Sequence, residues 1–306
     1  MVRIGYAPGM DSRQATAHPR ATPDATNMPA AGPVPLPAAG TATVPAAGRR
    51  LLGVLGGMGP LAGADFVAKL VRATPASADA DHIPVLLWSV PQVPDRLAAM
   101  EGRGESPAPM LVDALRAMAG CGVVRVAIAC NTAHHWYDEL VAGGGLPILH
   151  IADAAARALS RGQDAAGEAG RRVALLATRG THAAGFYRPR LAAAGHRVLP
   201  HDESLQSRFI DPAIEAVKAC RLDQAGGLLA AALDALASAS ALAAREGRED
   251  EIIDAVLLGC TELPIAHAAI RTTPAAPMQV VDATQALAEA CVQDWFGAHP
   301  DARTGL

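Results

Sequence analysis

The sequence has few aromatic residues, a modest content of charged residues and no long uninterrupted apolar segment. Aromatic residues make up 3% of the 306 positions and charged residues 18%, whereas 51% are hydrophobic. The most apolar helical candidate, residues 228–244, is interrupted by Asp234 and serines, so we expect no membrane span. The net charge of -4 comes with no basic face or arm, which argues against nucleic acid and anionic membranes as partners. We expect a soluble globular protein that acts on a small molecule.

Cysteine is also scarce. The five cysteines are an odd number, they are widely spaced, and no two of them form a CxxC pair. This spacing argues against a disulfide framework and favours a reducing compartment. We therefore expect a cytoplasmic protein.

The first 48 residues have the composition of a disordered tail. They contain 12 Ala and 8 Pro, too little apolar surface to offset the entropy of ordering the chain. They lack the continuous apolar segment of a signal peptide, and Asp11 and Asp24 do not suit a transit peptide. A start codon assigned too far upstream is the alternative.

From residue 49 onward, short apolar runs alternate with longer amphipathic segments. This alternation predicts βα units around a mostly parallel sheet. The predicted strands are 51–55, 84–90, 123–129, 148–151, 172–177, 196–199, 252–258 and 278–281, and the main helices are 60–72, 107–120, 212–218 and 223–245.

The two halves of the sequence repeat each other. Three motifs recur in the same order, at residues 51–59, 126–132 and 149–154 and then at 172–181, 256–261 and 279–284. We therefore predict two similar α/β domains with mainly parallel sheets, related by pseudo-twofold symmetry, and an active site in the interdomain cleft. The first domain would comprise residues 49–153 plus 279–306, and the second residues 154–278.

Two cysteines occupy equivalent places in this repeat. Cys130 begins the segment Cys-Asn-Thr-Ala-His and Cys260 the segment Cys-Thr-Glu-Leu, and each follows an apolar run. Each thiol is therefore expected at the C-terminal end of a parallel strand, where open α/β sheets bind ligands. Opposed thiols would let one thiolate remove a proton from carbon while the other thiol protonates the opposite face. The alternative is a pair of buried structural thiols.

Several segments together resemble the aspartate/glutamate racemase family, in its aspartate-racemase and broad-specificity branch. They are Gly56-Gly57-Met58-Gly59-Pro60, Pro94-Asp95-Arg96, Cys130-Asn131-Thr132-Ala133-His134, Leu176-Ala177-Thr178 with Gly180-Thr181, and Gly259-Cys260-Thr261-Glu262. The resemblance spans nearly all of residues 50–285. It implies a homodimer that interconverts L- and D-aspartate or glutamate with two catalytic cysteines and without pyridoxal phosphate or another cofactor.

The resemblance has one departure. Aspartate racemases of this type often carry a lysine after an aromatic pair in the second half, where it binds the substrate side chain. Here that segment contains Arg188 and Arg190 instead, so one of them would have to take this role. Glu262 favours the aspartate or broad-specificity branch, because glutamate racemases usually have histidine after Cys-Thr.

Met58 and Gly59 lie in a glycine-rich loop that links a predicted strand to a predicted helix. The amides of such a loop bind a carboxylate at the helix N-terminus. The loop also matches the dinucleotide pattern G-x-G-x-x-A, which requires an acidic residue at the end of the next strand. Asp79 and Asp81 precede that strand instead, so we favour a carboxylate site.

Other polar residues follow the predicted strands. Asn131, Thr132, Thr178 and Thr261 would hold the α-carboxylate of a substrate, and helix capping is the alternative role. Arg96 would pair with a side-chain carboxylate, and an ordinary surface arginine is its alternative.

Two residues beside the cysteines have competing interpretations. Glu262 would accept a hydrogen bond from the substrate ammonium or orient Cys260. The alternative is a carboxylate that only interacts favourably with the helix dipole. His134 would tune the thiol or cap and pack the helix. We expect no metal site from Cys130, His134 and His135, because adjacent histidines point in different directions on a helix.

Two further functions stay open from the sequence. The first is a racemase or isomerase of another carboxylated substrate, such as a hydantoin or maleate. The second is a non-catalytic protein that binds an amino acid in the same cleft.

Overall fold

The computed structural model describes residues 50–161, 170–271 and 278–298, within which eight strands form two parallel sheets. The strands are β1 (Leu51–Gly56), β2 (Val85–Ser89), β3 (Val123–Ile128), β4 (Ile148–Leu149), β5 (Arg172–Ala177), β6 (Arg197–Val198), β7 (Ala255–Gly259) and β8 (Gln279–Asp282). Each of the eight coincides with a predicted apolar run. The predicted tail, residues 1–48, lies outside the described residues.

Helices connect the strands, and several begin with proline, whose fixed φ suits the first helical turn. They are α1 (Pro60–Ala73), α2 (Arg96–Met100), α3 (Ala108–Gly120), α4 (Tyr137–Gly144), α5 (Ile151–Leu159), α6 (Arg179–Ala184), α7 (Tyr187–Ala193), α8 (Glu203–Leu205), α9 (Asp211–Lys218), α10 (Leu222–Arg245), α11 (Leu263–Ala268) and α12 (Ala283–Ala298). A single π-helical turn, Gln206–Ile210, joins α8 to α9.

The two sheets have the same strand order. The first is ordered β2-β1-β3-β4 and the second β6-β5-β7-β8, and every neighbouring pair is parallel. The strands that precede the two site cysteines, β3 and β7, are therefore equivalent. The predicted α/β class with two similar parallel sheets is confirmed.

Burial of apolar side chains explains how the halves are held together. One core cluster combines residues from both sheets with residues of α1, α5, α7 and α12. A second covers the other face of the first sheet beneath α3 and α4, and a third covers the other face of the second sheet beneath α9, α10 and α11. Cys130 belongs to the second cluster and Cys260 to the third, so the two thiols have equivalent packing environments.

The C-terminal elements are shared between the halves. Strand β8 pairs with β7 of the second sheet, whereas α12 packs against α1 and α5. Lys69 of α1 forms ion pairs with Asp65, at 2.5 Å, and with Asp282 at the end of β8, at 2.8 Å. The domain boundaries given above stay a prediction.

Helix α10 is long and apolar enough, by length and composition alone, to span a membrane, and within the described ranges it is the one helix of this kind. Its buried side chains, including Leu229 and Leu233, pack in the core cluster beneath the second sheet. One such helix is weak evidence for a membrane span, because core helices pass the same test.

Candidate active site

The two thiols line one cavity. Cys130 lies two residues after β3, Cys260 follows β7 directly, and the two residues are 4% and 2% exposed. The cavity has a volume of about 30 Å³. Its lining consists of Met58, Arg96, Cys130, Asn131, Thr132, Thr178, Lys218, Cys260, Thr261 and Glu262.

Nine of the ten residues predicted for the site therefore line this cavity. The tenth, Gly59, lies beside it, since a Cβ placed on Gly59 would be 3.3 Å from Oε1 of Glu262. Lys218, at the end of α9, was not predicted. No sequence motif marks Lys218, because its position at the cavity depends on how α9 packs beneath the second sheet.

Cys260 and Glu262 form a buried pair. The Sγ of Cys260 donates to Oε2 of Glu262 at 3.0 Å, and the Thr261 hydroxyl donates to the same oxygen at 3.1 Å. Burial and then the negative charge of Glu262 raise the pKa of Cys260 well above its usual value. The other carboxylate oxygen, Oε1, is buried without a hydrogen-bond partner. Cys260 is therefore held as a thiol beside a carboxylate with one oxygen to spare.

Cys130 has a different electrostatic environment. Burial raises the pKa of Cys130, but the guanidinium of Arg96 and the backbone N–H of Ala133 act in the opposite direction. No carboxylate accepts a hydrogen bond from Cys130 among the described residues, in contrast to Cys260. The pKa of Cys130 is thus raised, but less strongly than that of Cys260.

His134 orders the loop after β3 through hydrogen bonds at both ring nitrogens. Its Nδ1 donates to the Cys130 carbonyl at 2.9 Å, and its Nε2 accepts from the Ile151 N–H at 3.3 Å. Burial lowers the pKa of His134 to about 4, so the ring is neutral near pH 7. His134 therefore packs and orders the backbone beside Cys130. It has no ring nitrogen left for a metal, and neighbouring His135 is exposed.

Asn131 is oriented by a residue of the other half. The Tyr187 hydroxyl donates to Oδ1 of Asn131 at 2.6 Å, and both side chains are buried. This contact fixes the direction of the amide, so Nδ2 is turned away from Tyr187. Nδ2 is buried and has no hydrogen-bond partner. An unpaired N–H donor at a cavity wall is suited to an anionic ligand group.

Three threonine hydroxyls join the two halves at the cavity wall. The Oγ1 of Thr132 lies 2.9 Å from that of Thr178 and 3.1 Å from that of Thr181. Thr178 also accepts from the Thr181 N–H at 3.0 Å, which caps α6. The predicted alternatives of capping and cavity lining thus occur together for Thr178.

Arg96 is held by backbone carbonyls alone. Its guanidinium donates to the carbonyls of Val93, Pro94 and Met58 at 3.1–3.4 Å, and no carboxylate lies within ion-pair distance of it among the described residues.

The glycine-rich loop before α1 depends on Gly57. The backbone at Gly57 has φ of +95°, and a Cβ there would lie 2.2 Å from the Val90 nitrogen. Only glycine fits at this point of the loop.

Neither arginine considered for the side-chain role lines the cavity. Arg190 pairs with Asp153 at 2.7 Å, and Arg188 donates to the carbonyls of Val198 and Leu199. The hypothesis that Arg188 or Arg190 replaces the usual lysine is therefore not supported by the structure. Their helix, α7, directs both side chains to other partners.

A larger outer cavity, of about 320 Å³, adjoins the thiol cavity. Four residues line both cavities: Arg96, Thr132, Thr178 and Lys218. Two hydroxyls and two cations therefore surround the passage from the outer cavity to the thiols. Over the described residues there is no group of three or more His, Cys, Asp or Glu side chains that would hold a metal ion.

Comparisons with known proteins agree with this architecture. A model of the family described as Asp/Glu/Hydantoin racemase matches residues 55–291. The broad specificity amino-acid racemase RacX of Bacillus subtilis is 25% identical over 174 residues, covering 55% of this chain and 71% of that relative. Picrophilus torridus aspartate racemase is 27% identical with a TM-score of 0.62, covering 81% of this chain and 95% of the other.

A putative Asp/Glu racemase from Yersinia pestis is 22% identical with a TM-score of 0.59, and it supports the fold alone. The match covers 80% of this chain and 98% of the Yersinia pestis chain.

Fold and site thus define a duplicated α/β protein with a thiol-lined cavity. The chain belongs to the Asp/Glu/Hydantoin racemase family, and it is accordingly an isomerase of the racemase class.

Proposed function

We propose that this protein is a pyridoxal-phosphate-independent amino-acid racemase that interconverts L- and D-aspartate or glutamate by proton transfer between Cys130 and Cys260. One observation carries the proposal. The thiols that follow two equivalent strands of a duplicated fold line the same cavity. A nearly symmetric pair of acid-base groups suits a reaction whose substrate and product are mirror images.

The proton balance of the proposed reaction is simple. One cysteine thiolate takes the α-proton and becomes a thiol, while the opposite thiol gives its proton to the other face of the carbanion and becomes a thiolate. Turnover of one enantiomer therefore leaves the pair ready for the other. No redox step is needed.

The unequal surroundings of the thiols support a defined resting state. Burial raises the pKa of both thiols, but Arg96 and the Ala133 N–H oppose this effect at Cys130, whereas Glu262 adds to it at Cys260. In this state Cys130 is the base and Cys260 is the acid. In the reverse direction Cys260, which has by then given its proton to the substrate, removes the α-proton.

The carbanion requires stabilisation, because the α-proton of an amino acid is far less acidic than a thiol. The unpaired Nδ2 of Asn131 and the hydroxyls of Thr132 and Thr261 would donate to the α-carboxylate as it gains enolate character. The amides of the Met58 loop would add to this anion site. Fixed donors in a buried cavity are more effective than water, because they need no reorganisation.

The unpaired Oε1 of Glu262 would accept from the substrate ammonium. This contact would use the carboxylate oxygen that Cys260 and Thr261 leave free. The ammonium charge would also reduce the effect of Glu262 on the pKa of Cys260, which eases formation of the Cys260 thiolate.

Proton NMR in D₂O tests the proposal directly. The purified protein would be incubated, without pyridoxal phosphate, with L-aspartate, L-glutamate and other amino acids, and chiral chromatography would follow. Loss of the α-proton signal together with formation of the D-enantiomer is the expected result. Exchange or isomerisation with a hydantoin or maleate alone would favour a different carboxylated substrate. Binding without exchange would indicate a non-catalytic protein.

The proposal includes a homodimer in a cytoplasmic compartment. All five cysteines are free, which supports reducing surroundings. Light scattering after size-exclusion chromatography measures the mass directly, and twice the chain mass of 31.3 kDa is expected. A mass equal to one chain at micromolar concentration would contradict the dimer.

A further inference from the structure

A buried glutamine, Gln206, begins the π-helical turn between α8 and α9. It is 1% exposed, and its Nε2 donates to the Ala177 carbonyl at 3.0 Å and to Oδ1 of Asp211 at 2.5 Å. Ala177 is the last residue of β5 and directly precedes Thr178. Single π-helical turns are frequent at functional sites. Here the turn brings a buried amide against the backbone next to a residue of the thiol cavity.

The chain is also held on the other side of Thr178. Arg179 follows Thr178 directly, and its Nε donates to Oδ2 of Asp211 at 2.7 Å. The same guanidinium donates to Glu203 at 2.6 Å. Gln206 therefore fixes the backbone before Thr178, and Asp211, which Gln206 also contacts, fixes the side chain after it.

The Thr178 hydroxyl, held in this way, begins a chain of hydroxyl hydrogen bonds between the two halves. Its Oγ1 accepts from the Thr181 N–H at 3.0 Å and donates to Oγ1 of Thr181 at 3.0 Å. The Thr181 hydroxyl lies 3.1 Å from Oγ1 of Thr132 and can donate to it. Each hydroxyl has one proton to donate. The proton of Thr132 is then left for an anion in the thiol cavity.

The two halves touch each other at this chain of hydroxyls. A Cβ placed on Gly180 would lie 2.7 Å from Cγ2 of Thr132, so the first turn of α6 packs directly against the loop after β3. Hydrogen bonds weaken steeply once their length and angle leave a narrow range. A shift of Thr178 by about 1 Å would therefore disconnect Thr132 from its donors.

We infer that Gln206 is a positioning residue, which fixes Thr178 and thereby directs the Thr132 hydroxyl toward the substrate carboxylate. This inference rests on the proposed racemase function and extends it to a residue that lines neither cavity. Gln206 does not touch the substrate, and it acts through the backbone at Ala177.

A double-mutant cycle with Thr178 tests this route. Calorimetry with L-aspartate in a Cys130→Ala/Cys260→Ala background measures binding without turnover. Thr178→Val is expected to raise the Kd about 10-fold, and Gln206→Met, which keeps the side-chain volume, about 5- to 10-fold. Because Gln206 acts through Thr178, adding Gln206→Met to Thr178→Val should raise the Kd less than about twofold further.

A matched control makes the same substitution elsewhere in the chain. The Gln285 amide donates to Glu289 within α12, outside both cavities, so Gln285→Met should keep the wild-type Kd. If Gln206→Met fails to fold, Asp211→Ala loosens the same contacts from their more exposed side. Asp211→Ala should show the same non-additivity with Thr178→Val.

Racemase kinetics provide a second measurement. In the native cysteine background, Gln206→Met should lower kcat as well as raise KM, because the carboxylate gains charge as the carbanion forms and the Thr132 hydrogen bond then strengthens. A purely structural glutamine would lower the free energy of unfolding without lowering the kcat of the folded protein.

The outcomes separate the two proposals. An unchanged Kd in Gln206→Met, effects that add to those of Thr178→Val, or an unchanged kcat would overturn the role of Gln206. Coupled effects on the Kd without α-proton exchange in the wild type would instead overturn the racemase function and still support Gln206. Failure of the wild type to bind either aspartate or glutamate would overturn both proposals.

Discussion

The hydroxyl of Tyr187 donates a 2.6 Å hydrogen bond to Oδ1 of Asn131, from the second half of the chain to the first. This bond leaves Nδ2 of Asn131 as an unpaired donor at the cavity wall. Burial raises the pKa of Tyr187 well above its usual value, so the hydroxyl keeps its proton throughout the working pH range. The contact therefore both ties the halves together and sets the direction of a proposed carboxylate donor.

Tyr187→Phe removes this hydrogen bond with little change in shape. We expect a loss of about 1–3 kcal/mol in the free energy of unfolding, because Oδ1 of Asn131 would be buried without a partner. We also expect kcat/KM for racemisation to fall about 10-fold as the amide loses its orientation. Urea unfolding and the racemase assay measure the two effects. An unchanged kcat/KM would show that the orientation of Asn131 is immaterial to catalysis.

Cys130→Ser and Cys260→Ser each remove one of the proposed acid-base groups. A hydroxyl is a far weaker acid than a thiol, so we expect kcat for racemisation to fall by about 10²- to 10⁴-fold in each variant. The unfolding free energy should change little, because the substitution is nearly isosteric. Cys121→Ser is the matched control, since Cys121 is exposed and lies outside the cavity. Full racemase activity in either site variant would exclude the two-base mechanism.

Glu262→Gln keeps the shape of the side chain and removes its charge. Because Glu262 raises the pKa of Cys260, its neutralisation should lower that pKa. The pH profile of kcat/KM should therefore move to lower pH on the limb that reports Cys260, and thiolate absorbance should appear at lower pH. Glu215→Gln makes the same change in the outer cavity and serves as the control. A shift to higher pH would contradict the assigned pair.

Acid destabilisation is expected from the buried histidines. Burial lowers the pKa of His134 to about 4, below its value of about 6.5 in the unfolded chain. The unfolded state then binds more protons between these values, so stability is complete above about pH 6.5 and falls as the pH drops toward 4. For His134 the loss is on the order of 3 kcal/mol.

His150 acts in the same direction, since burial and neighbouring positive charge lower its pKa to about 2. Thermal unfolding at a series of pH values measures the combined slope. His134→Gln should lower stability at pH 7 and make the slope shallower, whereas His135→Gln at the exposed neighbour should keep the wild-type slope. An identical slope in His134→Gln would assign the acid sensitivity to other groups.

Much of the fold could be predicted because its signals are local. Apolar, β-branched runs marked all eight strands, and β4 was shortened only because α5 begins at Ile151. The candidate site could be predicted for a related reason. The C-terminal ends of parallel strands meet at one edge of a sheet, so residues that directly follow β3 and β7 lie close to the same cleft.

The roles of more distant residues could not be predicted. Arg190 was a candidate for substrate binding, yet Asp153 of α5 pairs with it. Such pairings depend on which helices pack together, and no local pattern encodes that.

The sequence by itself determined the duplicated α/β pattern, the equivalent positions of Cys130 and Cys260, and the nearby polar residues. Only the tertiary structure decided that Lys218 reaches the cleft, that Tyr187 orients Asn131, and that Glu262 holds the proton on Cys260. The physical reason is the range of the interactions. Periodicity and strand-end motifs arise from neighbouring residues, whereas burial, hydrogen-bond direction and charge pairing arise between segments brought together by packing.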